Sequence, residues 1–167
     1  MDLVIRNVVP DDAPEIVRIF NPIINAGMYT VLDSPLTVES QHSYIEALPN
    51  RAIFLVAESK GDGSIVGFQS MEPFPDPYTH AFDHVGVIGT WVDLNCHRQG
   101  VAKSLFSIMF KTAPERGYEK IFTYIRADNP IALLTYESQG FHIVGRAVRQ
   151  AKLRGRYVDE MIVERML

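Results

Sequence analysis

An apolar run with two glycines in it, Val85–Val92, passes through a short polar turn, Asp93-Leu94-Asn95-Cys96-His97-Arg98, into the opening of an amphipathic helix at Gln99-Gly100-Val101-Ala102. The order strand, turn, helix limits what can surround it. Glycines inside a strand, here Gly86 and Gly89, mark a bulge or a close backbone approach. The helix, Gln99–Ala113, puts Val101, Leu105, Ile108 and Met109 on one face. Small residues at Gly100 and Ala102 let a backbone or a ligand come near its start. The first helical N–H groups have no partner within the helix, and with the helix dipole they favour phosphate. A plain helix start packed on a sheet fits the same pattern.

The rest of the chain supplies the elements such a unit needs. Leu3–Val8 reads as a strand, and Asp11-Asp12 can cap a helix carrying Ile16, Val17, Ile19 and Phe20, which Pro22 should end or kink. Thr37 can cap a second helix reaching Leu48. Ala52–Glu58 and Ser64–Glu72 form a hairpin across Lys60-Gly61-Asp62-Gly63, and Pro73–Pro77 is a loop. After Gly117, Lys120–Arg126 is a strand; Asn129-Pro130 then opens a helix that Gly140 closes. Phe141–Ala147 and Tyr157–Met166 are the closing strands. The order β-α-α-β-β-β-α-β-α-β-β, without a linker-like stretch, predicts one mixed α/β domain over residues 1–167.

Composition narrows the function classes. At 167 residues with 47% hydrophobic content the chain can bury its own core and needs no metal or disulfide to hold it. Its single cysteine, Cys96, suits a reducing compartment. The first twelve residues lack the apolar stretch of a signal peptide, and no run approaches the roughly 20 apolar residues of a membrane span. The expectation is a cytoplasmic protein without a membrane or nucleic-acid partner. The net charge of −4 conceals a split: residues 1–97 hold 13 acids and 4 bases, residues 98–167 hold 7 acids and 12 bases.

A second pattern lies downstream. Asn129 and Tyr136 are seven residues apart, two helical turns, so both occupy one face of the same helix. An Asn at the helix start and a Tyr two turns on could line a groove beside the phosphate cradle; a plain N-cap and a packing tyrosine fit equally. Taken together, His97-Arg98-Gln99-Gly100-Val101-Ala102 and the Asn129…Tyr136 helix with its following Glu137-Ser138-Gln139-Gly140-Phe141 resemble the GNAT superfamily of acyl-CoA-dependent N-acetyltransferases. Ile19-Phe20-Asn21, Thr37-Val38-Glu39-Ser40 and Gly155-Arg156-Tyr157-Val158-Asp159 resemble its phosphinothricin and amino-acid N-acetyltransferase branch, whereas the Asn129…Tyr136 helix is nearer the ribosomal-protein N-terminal acetyltransferase branch.

The resemblance implies a mixed, mostly antiparallel sheet of about seven strands with about four helices, splayed where acyl-CoA binds. It implies acetyl-CoA as cosubstrate and a homodimer; separately, the five histidines show no metal-ligand spacing, so no metal is expected. Backbone N–H groups from Arg98 to Lys103, with His97, Gln99, Gly100, Val101 and Ala102 among the cradle residues, would hold the pyrophosphate. Thr90, Trp91 and Val92 would pair with the pantetheine arm, a backbone N–H near Val92 would polarise the acetyl oxygen, and Asn129 would bind the arm. Tyr136 would be the general acid. The family's usual glutamate base is missing, its two places holding Val87 and Gly86, and the place of another branch's glutamate holding Tyr124; His84 or Asp83 is the remaining candidate base.

The implied acceptor is a small primary amine: an amino acid, a phosphinothricin-like compound or a polyamine. Alternatives are a protein N-terminus and a non-catalytic acyl-CoA-binding module. No Lys or Arg occurs from Gly61 to His97, and Glu72, Asp76 and Asp83 suggest an acidic rim for a cationic acceptor. Against it, Arg146, Arg149, Lys152, Arg154 and Arg156 crowd the last hairpin and could form a carboxylate site, or simply a solvated face.

Overall fold

The computed structural model describes residues 1–167. Strands β1 (Leu3–Asn7), β2 (Ile53–Ser59), β3 (Ile65–Pro73), β4 (Val85–Val92), β5 (Lys120–Arg126), β6 (His142–Leu153) and β7 (Arg156–Met166) form one sheet in the order β1-β2-β3-β4-β5-β7-β6. Every neighbouring pair is antiparallel except β4 and β5, which run parallel. Helices α1 (Ala13–Ala26) and α2 (Val38–Glu46) cover one face; α3 (Val101–Glu115) and α4 (Pro130–Ser138) cover the other. The mixed, mostly antiparallel seven-stranded sheet with four helices is therefore present.

Alternation along the strands divides the core in two. Ile53, Leu55, Ile88, Ile121 and Val163 point to α3 and α4, where Leu105, Phe106 and Met109 meet them. Phe54, Val56 and Phe68 point to α1, against Ile16, Ile19, Phe20 and Ile23.

The one parallel seam positions the site. Its register holds only Val85↔Lys120, Gly86↔Ile121 and Val87↔Phe122. Beyond Val87 the strands diverge, so Ile88–Val92 keeps its pairing with β3 but has no partner on the β5 side.

Several local expectations change. Pro22 lies inside α1, which runs on until Gly27, left-handed at φ 68°, closes it. A mid-helix proline costs about 3 kcal/mol. Ile16, Ile19, Phe20, Ile23 and Ile24 are all buried on both sides of it, at about 1.5–3 kcal/mol each, so burial prevails. The β4 glycines make no bulge, because the β3–β4 register is unbroken. A Cβ on Gly89 would lie 2.1 Å from the Trp91 ring, and one on Gly86 would lie 2.7 Å from the Met71 sulfur. They are small to make room for neighbouring side chains. Strand β6 runs six residues past Ala147, through register shifts held by Asp159, whose carboxylate accepts the Arg149 N–H at 2.7 Å. Helix α3 begins at Val101, because Arg98 (φ 60°) and Gly100 (φ 83°) are left-handed.

Candidate active site

The wedge opens into two cavities. One, about 520 Å³, lies at the start of α3 and is lined by Thr90, Trp91, Val92, His97, Arg98, Gly100, Val101, Ala102, Lys103 and Asn129. These are the residues expected around the cofactor, Gln99 excepted; its side chain turns back to donate to the Asn95 carbonyl at 3.3 Å. The second, about 740 Å³, lies toward α1 and α2. Thr90, Trp91, Tyr29, Ala132 and Tyr136 line both, so the cavities meet at these residues.

The cradle is built from backbone. Ser104 is the first residue of the segment whose N–H finds a backbone acceptor, the Gly100 carbonyl at 3.0 Å. No internal hydrogen bond takes the N–H groups of Arg98 to Lys103. A run of free amides at a helix N-terminus is a phosphate site in charge and in geometry. Gly67 on β3 permits it: a Cβ there would meet Val101 Cγ1 at 2.8 Å and the Trp91 carbonyl at 3.0 Å. The bare edge of Ile88–Val92 offers N–H and C=O groups to an extended, amide-bearing arm. Both features fit an acyl-CoA.

Tyr136 sits where the cavities meet. Its ring is wedged edge-on against Phe106 and Phe141, and its hydroxyl lies 3.1 Å from Thr90 Oγ1. Thr90 in turn accepts from Gln69 Nε2 at 2.8 Å. Burial pushes the Tyr136 phenol up to about 12, with Thr90 pulling weakly the other way, so the group keeps its proton at neutral pH. Gln69 is fully buried and its Oε1 has no partner, at a cost of about 1–3 kcal/mol. Asn129 is the N-cap of α4: its Oδ1 accepts from Ala132 N at 3.1 Å, and Nδ2 lies 3.5 Å from the Tyr29 carbonyl.

Other expectations separate from the site. His84 is exposed at the far end of β4 and lines neither cavity. Six residues of strand place it roughly 20 Å from Thr90. Asp83 is exposed beside it, its carboxylate 3.1 Å from His80 Nδ1. Neither is placed to act as base. Cys96 borders the smaller cavity, and burial, then Asp93, push its thiol pKa up, as suits a structural cysteine. Of Glu72, Asp76 and Asp83, only Glu72 lines the larger cavity, where it accepts a short hydrogen bond from the Tyr44 hydroxyl. The hairpin bases line neither cavity: Arg146 pairs with Asp159 at 2.6 Å, and Arg149 and Lys152 stack on Tyr157.

One acid in the larger cavity is not apparent from the motifs. Glu160 on β7, only 8% exposed, lies opposite Arg126 in the β5–β7 register. Burial raises its pKa, and Arg126 opposes the shift. The available signal was an acid pair, Asp159-Glu160, inside the otherwise apolar strand pattern Val158–Val163.

A free-amide cradle, a bare strand edge and a protonated tyrosine between two cavities fit an acyl-CoA-dependent transferase. Residues 22–141 match the Acetyltransferase (GNAT) family, and the chain belongs to that family. It is 27% identical over 128 residues to L-amino acid N-acetyltransferase AaaT of Escherichia coli, covering 76% of this chain and 77% of that one. Its fold superimposes on ribosomal-protein-alanine N-acetyltransferase from Brucella melitensis with TM-score 0.88, 26% identity and coverage of 98% and 99%. The phosphinothricin acetyltransferase of Sinorhizobium meliloti, crystallised with AcCoA, shares the fold at TM-score 0.90 and 18% identity, covering 100% and 89%. The protein is an N-acetyltransferase of this family, and no helix in it is long and apolar enough to cross a membrane.

Proposed function

We propose that the chain, acting as one domain over residues 1–167, moves an acetyl group from acetyl-CoA to the primary amine of a small molecule by direct transfer. The observation that carries this reading is the Tyr136 hydroxyl, protonated and held by Thr90 where the two cavities meet. The pyrophosphate lies on the amides of Arg98–Lys103, and the arm follows Thr90–Val92 with Asn129 across from it. The acetyl oxygen accepts from a backbone N–H near Val92, which stabilises the charge developing there. The amine adds to the thioester carbon, the C–S bond breaks, and the leaving sulfur takes the Tyr136 proton. A cytoplasmic enzyme accords with the lone thiol of Cys96, and a homodimer is the family expectation.

A protein N-terminus is the second reading, favoured by the 26% identity to the ribosomal-protein enzyme over nearly the whole chain. Thiol release with amine and peptide panels separates the two. Tyr136→Phe should lower kcat about 10²-fold or more while acetyl-CoA affinity stays within about twofold, a change of about 0.4 kcal/mol or less. Absence of turnover on every amine and peptide, with acetyl-CoA still bound, would make the chain a binding module instead.

A further inference from the structure

The larger cavity is walled mainly by rings and aliphatic groups, among them Phe20, Phe54, Phe68, Trp91 and Tyr124. Three charged side chains reach it: Glu72, Arg126 and Glu160. Their states differ. Glu72 is bonded to Tyr44. Arg126 is already committed: Nε and Nη2 donate to the two Asp128 oxygens at 2.9 and 2.8 Å, and Nη1 donates to the carbonyls of Gly27 and Thr30 at 2.8 and 3.1 Å. It holds the segment after α1 against the end of β5, and Asp128 neutralises it. A substrate carboxylate would find one spare N–H and no uncompensated positive charge. The hairpin bases lie outside. Glu160 is more than nine-tenths buried and has no hydrogen-bond partner in the chain.

We infer that this cavity selects an apolar primary amine without a carboxylate, an aralkyl or alkyl monoamine, and that Glu160 receives its ammonium and takes its proton. The inference rests on the acetyltransferase reading above. A buried, unpartnered carboxylate among rings suits a cation with an apolar body: the charge meets its counter-ion and the body meets the rings. An amino acid would bring a second carboxylate into a site whose free charges are negative.

The step balances. The ammonium gives one proton to Glu160, directly or through water, and the freed nitrogen forms the C–N bond. The C–S bond breaks and the sulfur takes the Tyr136 proton; the nitrogen's surplus proton returns to Tyr136. Glu160 then releases its proton to solvent. The groups facing Glu160 are Arg126 from β5 and, from β6, its register partner Ala147, which carries no charge. Arg126 is the one charge acting on the carboxyl, and burial outweighs it.

The test compares amines with the amino acids that differ only by the carboxylate: phenethylamine with phenylalanine, and 3-(methylthio)propylamine with methionine, acetyl-CoA binding being followed by calorimetry. The amines should exceed the amino acids in kcat/KM by about 10²-fold or more, about 2.7 kcal/mol. Glu160→Gln should lower kcat/KM for the amine at least 10-fold, leave acetyl-CoA affinity unchanged, abolish the acid limb of the pH profile and raise Tm at neutral pH; Glu160→Asp should restore part of the rate. Amino acids turned over as well as the amines, or Glu160→Gln as active as the parent, would overturn the inference. No turnover of either set with acetyl-CoA bound would also overturn it. Failure to bind acetyl-CoA would overturn the acetyltransferase reading instead.

Discussion

Two carboxyls show how burial and partnering decide a residue's part. Asp12 accepts from Arg6 Nη1 and Nη2 at 2.7 and 2.9 Å and from Val9 N at 2.9 Å. Burial alone would raise its pKa, but the Arg6 and Val9 donors prevail and lower it. A lowered carboxyl stabilises the fold above its unfolded value, 3.8, and that contribution fades as pH falls through the folded value. Asp12→Asn should therefore cost about 1–3 kcal/mol at pH 7 and flatten the acid side of a Tm-against-pH curve, with neutral activity unchanged. Glu160 is the opposite case: raised by burial, it weakens the fold at neutral pH and ceases to do so as pH falls through its folded value. Tyr136, up at about 12, adds no basic limb to the rate profile below roughly pH 10. Tyr136 was legible in the sequence because its partner Asn129 is local, two turns away. Glu160 was not, because its importance comes from Arg126 across a strand pair and from its burial in the larger cavity, which no local pattern encodes.

At the scale of elements, two glycines near the cradle should behave differently. Gly67 is small because α3 touches the sheet there, with Val101 Cγ1 2.8 Å and the Trp91 carbonyl 3.0 Å from a would-be Cβ. Gly67→Ala should push the helix start outward, weakening CoA binding several-fold in calorimetry and lowering Tm. Gly100 has φ 83° and open space where a Cβ would go. Gly100→Ala should cost about 1–2 kcal/mol of backbone strain with a smaller effect on CoA affinity. Both effects are invisible to composition; the first depends on a contact between residues 34 positions apart. Element identities were legible wherever periodicity or capping was local, as with the Thr37 cap, whose side chain accepts from Ser40 N at 3.1 Å. They failed where tertiary packing overrode a local rule. Pro22 did not stop α1, and the polar stretch Arg149–Lys152 stayed in β6 because Asp159 secures its bulge.

For the molecule as a whole, the charge split has a narrower meaning than the sequence suggested. Arg98 and Lys103 are the two bases bordering the smaller cavity, and the hairpin bases line neither cavity. Because the cradle is made of amides, CoA affinity should fall only modestly between 50 and 200 mM salt, by far less than a many-lysine phosphate site would lose. The larger determinant is the seam. Saturating the protein with CoA at 100 times its Kd should stabilise it by about 2.7 kcal/mol, read as a Tm rise of about 5–10 °C for a chain of this size. Amide exchange should slow most at Ile88–Val92, the edge that gains partners.

The sheet is thus two antiparallel slabs, β1–β4 and β5–β7–β6, directly joined by three residue pairs. An acyl-CoA arm lying along Ile88–Val92, as proposed above, would supply the mortar that the chain leaves out between them. Such a protein would carry its fuel gauge in its architecture. With acetyl-CoA plentiful the slabs would be bridged and the locally opened population should shrink; with it scarce that population should grow and be exposed to proteases, which limited proteolysis with and without acetyl-CoA would read. The lifetime of the protein, and not only its turnover rate, should then follow the supply of its cosubstrate.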